Sequence, residues 1–443
     1  MAESRTVLLD EGSLTHRRVL AIALPIVLAN VTIPILGMVD TGVVGQLGEA
    51  APIGAVGIGA VILTSLYWIF GFLRMGTSGL VAQAHGARDH AESGAHLLRA
   101  LVIGLGAGVA LILLQAPLFA LAFRLAPASA EVEAMARQYL SIRIWGAPAT
   151  IGMYALTGWL IAVERTRAIL AVQMLINLVN IGLDLWFVLG LGLGVPGVAW
   201  ATLAAEWSGF ALALWLAREA IRDGLAAGGL WAKDRVSRLV RVNGDIMIRS
   251  VLIQGSMTAF LFLGAGQGDV PLAANQVLLQ FLQFTGNALD GLAFAAEALV
   301  GQAVGARRPA SVRRASGLTT RWAAGFALLL ALAFALGGGA IIDLLTTSPE
   351  VRQVARIYLP WMALMPVVGV ASWMLDGIFI GATLTREMRN VMILSVGIYV
   401  AALAILVPGF GNHGLWAALM ILNGVRAVGM ARLYLRAEAA ASA

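Results

Sequence analysis

The stretch LVAQAHGARD, Leu80 to Asp89, returns as LVGQAVGARR at Leu299 to Arg308, an offset of 219 residues. The same offset lays Arg137-Gln-Tyr-Leu140 on Arg356-Ile-Tyr-Leu359, so the chain is one half written twice. Long apolar runs dominate both halves. A duplication of that kind describes two similar bundles embedded in a membrane, an arrangement that places transported substrates at the interface between the repeats.

Composition supports this medium. The 443 residues are 60% hydrophobic and 12% charged, against about 25% charged in a typical soluble domain. There is no Cys, which excludes disulfides and thiolate chemistry, and the five His form no HExxH or other paired-ligand spacing, so no metal or cofactor is expected. The polar start MAESRTVLLDEGSLTHRR lacks the short apolar core and A-x-A site of a cleaved signal peptide and is read as a cytoplasmic tail. A pI near 10.3 raises nucleic acid as a partner. The basic residues, however, are split among short connections without interleaved aromatics, so membrane topology accounts for them instead.

Segments long enough to cross roughly 30 Å of hydrocarbon fall at 18–45, 53–83, 96–123, 138–162, 168–190 and 197–218, then at 245–266, 271–303, 315–345, 353–382, 390–408 and 414–433. The expected fold is therefore an all-α integral membrane protein of twelve transmembrane helices in two pseudo-symmetric six-helix bundles. Its divisions are a tail over 1–17, a first lobe over 18–221, a linker over 222–244, a second lobe over 245–437 and a C-terminal tail over 438–443. With the N-terminus inside, about two dozen of the 30 basic residues fall on the cytoplasmic side, as the positive-inside rule requires. Both termini are then cytoplasmic. An even number of helices per repeat makes the repeats parallel. The linker, with Gly228-Gly229 and the basic stretch Lys233 to Arg241, reads as a solvated basic loop.

An ionised carboxylate at bilayer depth costs about 3 kcal/mol on insertion scales, so an acid found there faces the bundle interior or water. Asp40 is the one charge between Ala21 and Leu47 and follows Pro25 and Pro34, each of which deletes a backbone donor and invites a kink. In the fifth span Gln173, Asn177, Asn180 and Asp184 recur at helical spacing along one face. In the eighth, Gln276, Gln280, Gln283, Asn287, Asp290 and Glu297 do the same. Neutral amides glue helices together by hydrogen bonds; Asp40 and Asp184 are poor choices for glue, because burying a titratable group adds a penalty. Asp290, Glu297 and Asp376 stand between the two readings. Arg74 and Arg143 also lie within spans, and either is placed to neutralise an acid and turn it into a fixed ion pair. Glu206, beside Trp207, is read as facing water. Gly192-Leu-Gly194-Val-Pro-Gly197 matches G-x-G-x-x-G but joins two apolar helices with no preceding strand, and is set aside.

The segments PIVLANVTIPILGMVDTGVVGQLG, FLRMGTSGLVAQAHGA, NLVNIGLDLWFVLGLGLGVPGVAWAT, ALDGLAFAAEALVGQAVGA and LDGIFIGATLTREMRNVM resemble the multidrug and toxic compound extrusion family, in its DNA-damage-inducible F branch, nearly end to end. The resemblance implies a twelve-helix exporter of two six-helix lobes, driven by an inward proton or sodium gradient and expelling amphipathic, mostly cationic compounds. It assigns the coupling and substrate-linked acid to Asp40, its partners to Asn180 and Asp184, and hydrogen-bonding roles to Thr202 and Tyr139. The bending proline falls at Pro25, with Pro34 a second kink. Asp376 matches a tenth-helix acid of the second lobe, where Asp290, Glu297, Asn287 and Gln283 complete a candidate polar site. Sodium-coupled members add an acid on the seventh helix, and Ile246 to Gly266 contain none.

The expected mechanism is proton antiport by a functional monomer in the bacterial inner membrane. Asp40 and Asp184, mutually repulsive and desolvated, take a proton from outside, and a bound cation, deprived of its counter-charge, leaves. Sodium coupling stays open. A lipid-linked precursor flippase, which needs a cationic cavity, is the rival transporter. An intramembrane enzyme lacks a nucleophile with a base, since Ser65 and Ser78 have no His at membrane depth.

Overall fold

The computed structural model describes residues 14–46, 50–125 and 128–442, with no strand among them. In lipid every backbone N–H and C=O must be satisfied inside its own segment, and the apolar runs accordingly wind into helices. These are α1 (His16–Gly45), α2 (Ala50–Trp68), α3 (Phe72–Gly86), α4 (His90–Leu113), α5 (Gln115–Leu125), α6 (Ala130–Arg143), α7 (Ala147–Ala162), α8 (Thr166–Asp184) and α9 (Gly194–Ala226). The second half supplies α10 (Lys233–Ala265), α11 (Asp269–Gly305), α12 (Pro309–Leu345), α13 (Pro349–Gly381), α14 (Thr385–Phe410), α15 (Asn412–Arg432) and the short α16 (Leu435–Ala440). Among the described residues eleven helical stretches are long and apolar enough to cross a membrane, α2 and α3 counting as one through the 3₁₀ turn Ile69–Gly71. Over the predicted fourth span, 138–162, α6 and α7 join end to end through the 3₁₀ turn Ile144–Gly146. Polar caps mark helix starts where the sequence supplies them, as Asp89 does by accepting from the Glu92 N–H at 2.8 Å.

The duplication extends to the backbone. Among the described residues four that are not glycine hold a left-handed φ: Arg88 (60°), Glu164 (59°), Arg307 (56°) and Thr383 (53°). They form two pairs at the 219-residue offset, Arg88 with Arg307 and Glu164 with Thr383, each in the turn that ends one helix and starts the next. Thus Glu164 N–H bonds Ile161 C=O and Arg165 N–H bonds Leu160 C=O, while Thr383 N–H bonds Ile380 C=O and Leu384 N–H bonds Phe379 C=O. Such a left-handed closure satisfies the last carbonyls of a helix.

Two compact units result. One runs over 28–81 and 89–236, the other over the chain up to Val27, 82–88 and from Ser237 onward. The core of the first gathers Val44, Leu63, Tyr139, Leu140, Ile144, Ile151 and Val198. That of the second is built on Phe260, Leu278, Phe281, Phe334, Met362, Met365, Tyr399 and Trp416, with edge-on ring pairs Phe260–Trp416 and Phe281–Phe334 at 4.9 and 5.0 Å. Within this second unit the two copies of the repeated decapeptide meet. A Cβ on Gly86 would overlap the Gln302 carbonyl oxygen, and a Cβ on Gly305 would overlap that of Gln83. Each copy's glycine therefore seats the other copy's backbone. Gln83 also donates to Gly381 C=O at 3.0 Å and Thr383 Oγ1 at 3.1 Å.

The segment 222–244 is largely helical, α9 running to Ala226 and α10 starting at Lys233. Its bend is fastened to α4: the fully buried Arg99 donates to Leu230 C=O at 2.6 Å and to Glu92 at 2.8 Å, and Glu92 also accepts from Arg235 at 2.6 Å. The solvated-loop reading missed this anchor because Arg99 and Glu92 lie over a hundred residues away in sequence.

Candidate functional site

In the first unit three helices bring their polar residues to one place. α8 turns its stripe inward, Asn177 being 7% exposed and Asn180 and Asp184 both 0%, while Leu178 on the opposite face is 65% exposed. Directly after Asp184 the helix widens into a π turn, Leu185–Gly190, a local feature that recurs at functional sites. α1 brings Asp40, 8% exposed, and α9 brings Thr202, 3% exposed. Asn180 Nδ2 donates to Thr202 Oγ1 at 3.1 Å, and the Thr202 hydroxyl lies 2.9 Å from Val198 C=O and 3.5 Å from Asp40 Oδ2. A hydroxyl carries one proton, so Thr202 bonds either its own helix or Asp40 at a given moment.

The carboxyls of Asp40 and Asp184 face each other within hydrogen-bonding reach. Neither carboxylate is a donor, so this contact exists only when a proton sits between them. Otherwise Asp40 Oδ1, Asn180 Oδ1 and both Asp184 oxygens are buried without a protein hydrogen-bond partner. Buried acceptors left open in this way are uncommon and call for a proton, a water or a ligand donor. Chemically, the site can hold either a proton or a cation.

Tyr139, 2% exposed, joins a neighbouring group instead: its hydroxyl accepts from Arg143 Nε at 3.4 Å. A Cβ on Gly59 of α2 would overlap the Tyr139 ring, so that glycine opens the ring's berth. Arg143 is claimed by Glu206, with Nη1 to Oε2 at 2.6 Å and Nη2 to Oε1 at 2.8 Å. Glu206, read from the sequence as water-facing, is thus one arm of a bidentate ion pair. Sequence reasoning could not join residues 63 positions apart. α1 runs unbroken as helix through Pro25 and Pro34; the side chain of Pro34 lies outside the described residues.

In the second unit Asp376 is bound to arginine through one oxygen, while its Oδ1 is buried without a partner. Its Oδ2 accepts from Arg249 and, at 2.6 Å, from Arg426, which also donates to Asn423 at 3.2 Å, and all three charged residues are 5–7% exposed. Arg249 lies within the predicted span 245–266 and was missed there, because sequence alone does not pair residues 127 positions apart. Gln276, Gln280 and Gln283 are exposed, Asn287 and Asp290 half-buried and Glu297 buried. Gln283 donates to Asn287 of its own helix at 3.4 Å. Breaking a buried ion pair from one side costs about 3–5 kcal/mol. Asp376→Asn is therefore expected to lower the thermal midpoint in detergent markedly, and an unchanged midpoint would contradict the brace.

Comparison with known proteins agrees with this architecture. The MatE family model matches twice, over residues 25–186 and 246–406. The chain is 39% identical over 419 residues to DNA damage-inducible protein F of Escherichia coli (strain K12), covering 94% of this chain and 91% of that protein. It is 31% identical over 333 residues to a probable multidrug resistance protein NorM of Bradyrhizobium diazoefficiens, covering 72% and 69%. The crystal structure of the Vibrio cholerae MATE transporter VcmN in its bent form superposes with a TM-score of 0.85 at 20% identity, over 96% of this chain and 97% of that one.

Proposed function

Since the chain belongs to the MatE family of membrane transporters, we propose that it is a multidrug efflux antiporter that exports amphipathic, mostly cationic compounds in exchange for inward protons. The observation that carries this reading is the buried Asp40–Asp184 pair, three of whose four oxygens have acceptor capacity and no protein donor. When both carboxyls are ionised the pocket attracts a cation; when a proton bridges them that attraction falls. Proton and substrate compete for one site, and competition of this kind couples opposite fluxes. Thr202, with its alternative acceptors, adjusts to either state, and Asn180 holds Thr202 in place. Bending of α1 at Pro25 or Pro34, each lacking a backbone donor, closes the pocket behind the departing substrate. The protein works as a monomer in the bacterial inner membrane with both termini in the cytoplasm.

Coupling to protons rather than sodium is favoured by Asp376: an acid already engaged by two arginines is a poor ligand for a second-unit sodium ion. The flippase reading draws on Arg74 and Arg143, and Arg143 is already bound by both carboxylate oxygens of Glu206. The test is efflux of a fluorescent lipophilic cation from proteoliposomes, with pH and sodium gradients imposed separately. Efflux driven by the pH gradient alone is expected. Efflux driven only by sodium overturns proton coupling, and indifference to both gradients overturns antiport.

A further inference from the structure

The Arg143–Glu206 pair has no part in that exchange, yet the chain is built around it. α6 ends at Arg143, and the 3₁₀ turn that follows closes with Gly146, where a Cβ would overlap Glu206 Oε2. A residue larger than glycine would evict the Glu206 carboxylate. The pair is ringed by hydroxyls: Tyr139 bonds Arg143, and Tyr67, buried with its hydroxyl unpartnered, lies within the electrostatic reach of both charges. The pair also lies one helical turn from Asp40: Glu206 follows Thr202 by four residues on α9, and the Thr202 hydroxyl is 3.5 Å from Asp40 Oδ2.

We propose that Glu206 is a positioning residue for proton exchange, holding the Arg143 guanidinium away from Asp40 and Asp184 so that those carboxyls stay free to trade a proton for a cation. The proposal rests on the antiport reading. A guanidinium does not lose its proton inside a protein, and a buried cation takes whatever carboxylate it can reach. Satisfied by both Glu206 oxygens, Arg143 leaves the pair alone; released, it converts Asp40 into a fixed ion-pair partner that no longer carries protons. The charged and polar groups around Asp40 are Asp184 and Asn180 from α8, Thr202 from α9, and Tyr139 and Arg143 from α6, with Glu206 of α9 behind Arg143. Tyr67 from α2 flanks the ion pair, and Tyr154 of α7 lies within reach of Glu206 and Arg74.

The test compares pH-driven efflux of a lipophilic cation, over a range of external pH, for wild type, Glu206→Gln and the double variant Arg143→Gln/Glu206→Gln in proteoliposomes. Glu206→Gln is expected to lose at least about tenfold in rate and to need a more acidic exterior. The double variant, which has no stray cation, is expected to recover to within about twofold of wild type with the wild-type pH profile. A double variant as inactive as the single one makes the pair a brace and overturns the proposal, as does a single variant with an unchanged rate and profile. If Glu206→Gln does not fold, the double variant decides alone by the same criterion. A wild type that ignores the pH gradient removes the antiport reading and this proposal together. A responsive wild type with a dead double variant removes this proposal only.

Discussion

Asp40→Asn is expected to abolish pH-driven export while leaving the protein folded. The substitution keeps the side chain's size and removes its charge and its proton. A unit charge 4 Å from a bound cation is worth about 4 kcal/mol at an effective dielectric constant of 20, an upper bound that makes a loss of about a hundredfold in coupled efflux a reasonable expectation. Stability moves the other way. Asp40 is buried with one oxygen unpartnered and a second carboxyl facing it, so the neutral amide relieves like-charge crowding and supplies donors. The variant should keep or raise its thermal midpoint. Normal pH-coupled efflux by Asp40→Asn would remove this carboxyl from the mechanism. A falling midpoint would make lost activity a matter of folding.

The second large effect is structural. Gly86→Ala and Gly305→Ala each place a methyl group on a backbone carbonyl of the other repeat copy. A carbonyl within a helix cannot rotate aside as a side chain does, so the helices must separate. Overpacking of this kind costs about 1–3 kcal/mol, occasionally more, and each variant is expected to show a lower thermal midpoint and poorer yield. Gly317→Ala is the control: nothing lies within 4 Å of a Cβ there, and replacing a mid-helix glycine gains about 0.5–1 kcal/mol. Equal behaviour of all three variants would refute the mutual seating of Gly86 and Gly305.

Much of this was legible in the sequence because lipid simplifies the problem. The predicted apolar runs became helices, eleven stretches of them long and apolar enough to cross a membrane among the described residues, since a backbone in hydrocarbon has little choice but to bond along its own helix. The inward stripe of Asn177, Asn180 and Asp184 followed from helical spacing alone. What escaped were pairings across the chain. Arg143 and Asp376 each carried two readings, free or ion-paired, and charge count does not choose between them. Helix ends were also shifted: the polar turns of α10 from Lys233 onward carry no hydropathy signal, although they are helical.

The sequence by itself determined the medium, the crossings, the duplication and the acids that face inward, because each depends on periodicity and on the cost of polarity in lipid, which are local quantities. Only the tertiary structure decided which acids are bound to arginine and which are not, and that the repeated glycines seat one another. Those outcomes depend on ångström-scale distances between residues far apart in the chain, and at that scale a buried carboxylate is either an exchange site or half of an ion pair.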